Sequence, residues 1–282
     1  MDIARCNRAV SRGSAVNERM LRKAAVLGST GPATPWSLLG VAATIGLWAV
    51  VSSAQWVNPL LLPPPARVIG AIKDIGFDLF WHAAATIGRI VGGYTLGVLL
   101  GLVLGTAMQY SRKTYVFWDG IVETARPVPA VALVPFFILV FGFSEFGKIL
   151  LVTLGVGLII TVATVESIER VPTVVIRWGL VLGLPRRDLF RQIVLPAAIP
   201  ELRSGFRIAL ATAISLVIVS EFMGSTYGLG YLISVAKVTL TTPTLFLAII
   251  ILGWISWIAD RMLRYAFDRK TAWDVRAKGA IR

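Results

Sequence analysis

Residues 90–109 read IVGGYTLGVLLGLVLGTAMQ, twenty consecutive positions without one charged side chain. A helix needs about 20 mostly apolar residues to cross the hydrocarbon core of a bilayer, so this stretch is long enough to span one. It carries Gly93, Gly97, Gly101 and Gly105, four apart and hence on one helix face. In lipid, helices associate by close packing, and a face without side chains lets a second backbone approach. The stretch predicts a membrane span packed tightly against another helix.

Working outward, similar apolar runs occur at 36–57, 115–141, 145–165, 205–223 and 243–263, giving an all-α polytopic bundle of about six transmembrane helices. The third run is interrupted by Pro127 and Pro129. The whole chain agrees with this reading: of 282 residues, 56% are hydrophobic and 15% charged, with mean hydropathy +0.76. A soluble domain is nearer one quarter charged. The expected organisation is a basic cytoplasmic tail at 1–35, a transmembrane domain at 36–265 and a second basic tail at 266–282. Residues 66–80, ARVIGAIKDIGFDLF, are too short and charged to span. Val68, Ile69, Ile72 and Ile75 recur at helical spacing, which predicts an amphipathic helix on the outer surface.

The net charge of +13 does not describe a nucleic-acid binder, because the basic residues fall in short clusters between apolar runs instead of on one solvated face. Their distribution orients the chain. With the N-terminus placed inside, twenty Lys and Arg lie in inside segments and four, Arg67, Lys73, Lys148 and Lys237, in outside ones. The positive-inside rule then puts both termini and the long polar stretch 166–196 in the cytoplasm. One cysteine, Cys6, and one histidine, His82, predict neither a disulfide framework nor a zinc site.

Residues 142–149, GFSEFGKI, approach a phosphate-binding loop. Ile149 stands where a magnesium-binding hydroxyl is required, and no strand precedes it. The chain is therefore expected to bind no nucleotide and no cofactor. Charged groups in or beside spans are functional candidates by default. Arg126, with Pro127 and Pro129, and Glu221, with Gly228 and Gly230 beyond it, either line a translocation path or serve as structural ion pairs and backbone anchors. Arg203 and Arg207, four apart, are expected to snorkel to head groups.

The stretch 183–196 reads GLPRRDLFRQIVLP. Its composition predicts a short amphipathic helix, opened by Gly183–Leu184–Pro185 and closed before Pro196. Such a helix either lies on lipid head groups or docks in a groove on a partner. In the docking version Leu184 and Phe190 are the apolar anchors, and Arg186, Arg187 and Asp188 form the polar rim.

Glycine, nine residues, then Ile193, one residue, Leu195 and Pro196 is the spacing of the loop by which permeases of ABC importers engage their ATPase. PAAIPELRSGFRIAL at 196–210 and SEFMGSTYGLGYLI at 220–233 follow in order; NPLLLPPPARV at 58–68, TIGRIVGGY at 86–94 and RPVPAVALVPFFILVFG at 126–142 precede. Together they resemble the type I importer permeases that serve taurine, aliphatic sulfonates, nitrate, bicarbonate and thiamine-precursor pyrimidines, over Trp36 to Trp273. The resemblance implies a permease of the bacterial inner membrane, itself no enzyme. Two cytoplasmic ATPase subunits would hold ATP and magnesium, with a second permease copy, forming a homodimer, and an extracytoplasmic substrate-binding protein. It also assigns Gly183, Leu184, Arg186, Arg187, Asp188, Phe190, Ile193, Leu195 and Pro196 to ATPase coupling. Arg177-Trp178-Gly179 replaces the family's usual Glu-Ala-Ala. A small anion is the expected substrate, with a neutral pyrimidine as the alternative. An ion-driven carrier would show paired half-repeats with broken helices, and an intramembrane enzyme would show converging reactive groups. Neither pattern is found in the sequence.

Overall fold

The computed structural model describes residues 35–271, with side chains from Leu39 onward; the expected tail 1–35, save its last residue, and residues 272–282 lie outside the described residues. Helix α1, Pro35–Ser53, is apolar and 19 residues long, and belongs to a unit of its own that ends at Val57. The unit from Asn58 onward holds all the other described helices.

Three of the helices that follow make the core. They are α3 (Asp78–Tyr110), α6 (Glu145–Glu169) and α8, a continuous helix from Arg186 to Gly224. Each is long and apolar enough to cross a membrane, as is α10 (Thr242–Lys270). The glycine stripe decides the α3–α6 contact. A Cβ added at Gly93, Gly97, Gly101 or Gly105 would come within 2.6–2.7 Å of Val152, Val156, Ile160 or Thr164, respectively. Both helices advance by four residues per contact, so they run parallel in fixed register. Packing of this closeness needs small residues, as expected where no hydrophobic driving force separates helix from lipid. The other side of α6 meets α8, and Val152, Val156, Ile160, Ala209, Ala213, Leu216 and Val217 fill the interior.

The expected span at 115–141 is bent where its prolines interrupt it. Helix α4 (Arg112–Ala125) and the segment Ala130–Phe141, which ends in α5 (Val134–Phe141), meet at 85°. Pro127 and Pro129 have no backbone N–H to continue the ladder, which breaks it there. The outer amphipathic helix is shorter than 66–80: α2 is Pro65–Ile75 and stops at Gly76, φ 62°. Val68 and Ala71 are its buried residues, and it packs on α10. Asp78 then opens α3, so the span predicted to begin at 90 starts twelve residues earlier.

Helix α7 (Thr173–Val181) is followed by a turn at Gly183, φ 73°. The helix expected to close before Pro196 does not close. A π segment, Leu189–Val194, carries it directly into Leu195–Gly224. Pro196 lacks the donor for an α hydrogen bond, and the widened turn stands next to that gap. Likewise the predicted C-terminal tail from 266 is still α10 as far as Lys270. Helix α9 (Leu229–Val238) joins α8 to α10 and packs on both. On α10 only Leu247, Ala248 and Leu252 are buried, while Ile249, Trp254 and Trp257 are exposed. An apolar surface of this kind suits lipid as its solvent.

Candidate functional site

Three places in the bundle combine polar groups with a defined geometry. The first is a charge network at the end of the core where α6 begins. Ser144 caps that helix, its hydroxyl accepting from Gly147 N–H at 3.2 Å, which sets Glu145 in the first turn. Arg89 of α3 donates to both Glu145 oxygens, Nε to Oε2 at 2.6 Å and Nη2 to Oε1 at 2.7 Å. Its Nη1 donates to Glu221 Oε1 at 2.6 Å and to the Tyr227 carbonyl at 2.7 Å. Glu221, with its side chain fully buried, also accepts from Thr86 Oγ1 at 2.9 Å and from Gly230 N–H at 2.8 Å. Lys148, the lysine of the apparent phosphate loop, donates to Glu145 at 3.0 Å. Two cations and two carboxylates thus close on one another. A buried charge is tolerable only when paired and hydrogen-bonded to this degree.

The glycines beyond Glu221 make room for its carboxylate. At Gly228, φ 136°, an added Cβ would lie 2.4 Å from the Glu221 carboxyl carbon, and at Gly230 2.8 Å from the Ile218 carbonyl. Gly228 N–H donates to His82 Nδ1 at 3.1 Å, so a neutral His82 carries its proton on Nε2. Glu221, Gly228 and Gly230, candidates for the path, are therefore brought together as an interlock of α3, α8 and α9. Arg89, Thr86 and Glu145 were not singled out from the sequence. The available signal was a charge within TIGRIVGGY, disguised because the apolar run starts one residue after Arg89.

The second place is a cleft of about 260 Å³ toward the other end of α6, lined by Arg126, Glu166, Arg170, Glu201 and Ser204 among apolar residues. Arg126, at the proline break, pairs with Glu166 at 3.0 Å and with Glu123 at 3.5 Å. Arg203 and Arg207 do not simply snorkel. They pair with Asp268 and Asp260 of α10, each at 2.8 Å, because that helix runs alongside with acids at matching height.

The third place is the α7–α8 corner. Gly179 is buried, and an added Cβ would lie 2.3 Å from Leu189 Cδ1 and 2.6 Å from Ile193 Cδ1. Smallness at 179 is what lets α7 seat on α8, and it survives the loss of the usual Glu-Ala-Ala. Gly183 supplies the left-handed turn between them. Phe190 does not project as an anchor: its ring meets Tyr110 edge-on at 5.4 Å and packs on Ile168, Val171, Val194 and Ala198, together with Leu195. Leu184 is half-buried, as are Asp188 and Pro196. The large apolar side chains of this corner that protrude most are Trp178, Val181 and Leu182, 71%, 86% and 75% exposed, ahead of Leu180 at 58% and Val174 at 57%. Arg187 is exposed, and Arg186 donates to the Tyr110 carbonyl at 3.2 Å.

A parallel glycine-packed core, a proline-broken span and several helices long enough to cross a bilayer define a multi-pass membrane bundle. Residues 97–272 match the family described as binding-protein-dependent transport system inner membrane component, and the chain belongs to that family. It is similar to the taurine transport system permease protein TauC of Escherichia coli K12, 32% identical over 240 residues, covering 83% of this chain and 87% of that one. The putative aliphatic sulfonates transport permease SsuC of Bacillus subtilis 168 is 32% identical over 238 residues, 84% and 86% of the two chains. The riboflavin transport system permease RibX of Chloroflexus aurantiacus is 31% identical over 227, 78% and 85%. In fold, the chain resembles a chain of the inward-facing MetNI methionine ABC transporter, with TM-score 0.56 and 21% identity over 68% of this chain and 97% of that one. The protein is a multi-pass inner-membrane permease subunit of an ABC importer, a class that works with a separate ATPase and a binding protein.

Proposed function

We propose that the chain pairs with a second copy of itself, that two ATPases dock on the α7–α8 corner, and that the dimer imports a small organic sulfonate such as taurine. The observation that carries the docking is the tip formed by Trp178, Val181 and Leu182, with exposures of 71%, 86% and 75%. A tip of large apolar side chains has the make-up of the apolar centre of an interface hot spot. The anchors are then Val181 and Leu182, on the N-terminal side of Leu184 and Phe190, the anchors expected from the sequence. ATP and magnesium belong to the ATPase, and its closure rocks the bundle through this corner. The charge asymmetry puts the corner and both termini in the cytoplasm.

For the substrate, two relatives carry taurine or sulfonate in their names, and the cleft presents Arg126 and Arg170 together with Glu166 and Glu201. Both signs of charge in one cleft suit a zwitterion better than a neutral ring. The test is ATP-driven uptake by the permease reconstituted with its ATPase and binding protein. Taurine should accumulate and riboflavin should not; the reverse would reassign the substrate.

A further inference from the structure

A large apolar cavity serves neither the network nor the cleft, and shares Ile168, Leu195 and Ala198 with the corner. It is a groove of about 670 Å³ bounded by α3, α6, α8 and α10, with Leu102, Val103, Ile199, Leu202, Phe206 and Leu263 in its walls. Its volume lies in the range of about 300–1,000 Å³ typical of small-molecule sites. The threonines in the wall contribute no polarity: Thr106 and Thr164 donate to the carbonyls of Leu102 and Ile160 in their own helices, both at 2.6 Å.

The only charged residues lining the groove are Arg191, near the start of α8, and Lys270, at the end of α10. Both are exposed, and neither has an acidic partner among the described residues. Their neighbours differ in this respect. Arg203 pairs with Asp268, and Arg207 and Arg264 both pair with Asp260. Two cations with no acidic partner among the described residues, both in the wall of an apolar groove in a chain that spans a bilayer, make a surface complementary to an anionic amphiphile. Basic pockets between transmembrane helices recognise lipid head groups in this way.

The geometry points to a bound anionic phospholipid here, one acyl chain in the groove and its phosphate between Arg191 and Lys270. With the orientation proposed above, the lipid comes from the cytoplasmic leaflet. An apolar helix, from this chain or a second copy, would fill the groove and leave both cations unmatched.

The test is native mass spectrometry of the detergent-purified permease–ATPase complex titrated with phosphatidylglycerol or phosphatidylcholine. Phosphatidylglycerol should bind the parent complex one per permease chain and in preference to phosphatidylcholine. In Arg191→Ala/Lys270→Ala its affinity should fall roughly 30-fold, about fivefold per cation. Ile199→Trp, which narrows the groove and keeps both charges, should also weaken binding. Arg191→Lys/Lys270→Arg should retain it, separating lost charge from misfolding. Equal affinity for the two lipids, or unchanged binding in Ile199→Trp, would overturn the proposal. So would a cross-link from Ile199→Cys to a segment of this chain or of a second copy.

Discussion

Arg89 and Glu221, 132 residues apart in the chain, meet at 2.6 Å inside the bundle, with side chains only 6% and 0% exposed. Each is also held by other helices or turns, Arg89 by Glu145 and the Tyr227 carbonyl, Glu221 by Thr86 and Gly230. The pair therefore fastens α3, α6, α8 and α9 at one end of the core, while the glycine stripe fastens α3 to α6 along its length.

Removing one partner of a buried ion pair strands the other charge and costs about 3–5 kcal/mol. Glu221→Ala should lower the thermal midpoint of the detergent-solubilised complex sharply. Arg89→Lys should also destabilise, because an ammonium cannot reproduce the fork that reaches both Glu145 oxygens. Arg89→Met/Glu221→Met should recover part of the loss of Glu221→Ala, as no buried charge remains unpaired. A midpoint for Glu221→Ala equal to the parent's would show that the network does not hold the fold.

The glycine register makes a second, separable prediction. Gly97→Leu meets Val156 and the Thr153 carbonyl, whereas Gly88, on the same helix, has nothing within 4 Å of its would-be Cβ. Overpacking costs about 1–3 kcal/mol where neighbours can shift, and more against backbone. Gly97→Leu should reduce the folded yield and thermal midpoint, and Gly88→Leu should leave both near the parent values. Equal tolerance at the two positions would contradict the close α3–α6 contact.

At Gly228 two requirements coincide, a φ of 136° and the Glu221 carboxylate beside it. Gly183 has only the φ of 73° and open space. A left-handed residue with a Cβ costs roughly 1–2 kcal/mol. Gly183→Ala should therefore be a mild variant and Gly228→Ala a severe one, measured as the thermal midpoint of each. The opposite ranking would mean that the Glu221 carboxylate makes no demand at 228.

Orientation is open to direct labelling. In a Cys6→Ser background, Ile69→Cys, 67% exposed on α2, should react with an impermeant maleimide in intact cells. Arg187→Cys, exposed at the corner, should react only after permeabilisation. Inverted labelling would turn the topology over.

Much of this was legible in the sequence, for physical reasons that also explain the gaps. Apolar length reveals a span, and four-residue glycine spacing reveals a face, so α3 and its packing role were readable, with Gly93 to Gly105 landing on α6. Gly183 and Gly179 could be read as a turn and a small position. The network could not be read. Pairing Arg89 with Glu221 joins two residues 132 apart, and nothing local marks the partner. The corner was harder to read for a different reason. Phe190 has the composition of an anchor, but its direction depends on the π segment Leu189–Val194 and on Tyr110 standing opposite. Val181 and Leu182 look like the tail of an apolar helix until the turn at Gly183 leaves them uncovered.

That difference supplies the most direct measurement of the central claim, that this permease is driven by an ATPase seated on the α7–α8 corner. Parent, Val181→Asp/Leu182→Asp and Phe190→Ala chains should be expressed with the ATPase, checked for membrane insertion, purified through a tag on the permease and assayed for ATP-driven uptake in vesicles. Phe190→Ala should lose stability, by roughly 2 kcal/mol, about half the cost of a fully buried phenylalanine, yet keep its ATPase. Val181→Asp/Leu182→Asp should insert normally, release the ATPase and show no ATP-dependent uptake. If that double variant retains the ATPase and transports like the parent, the corner is not the coupling site and the account is wrong.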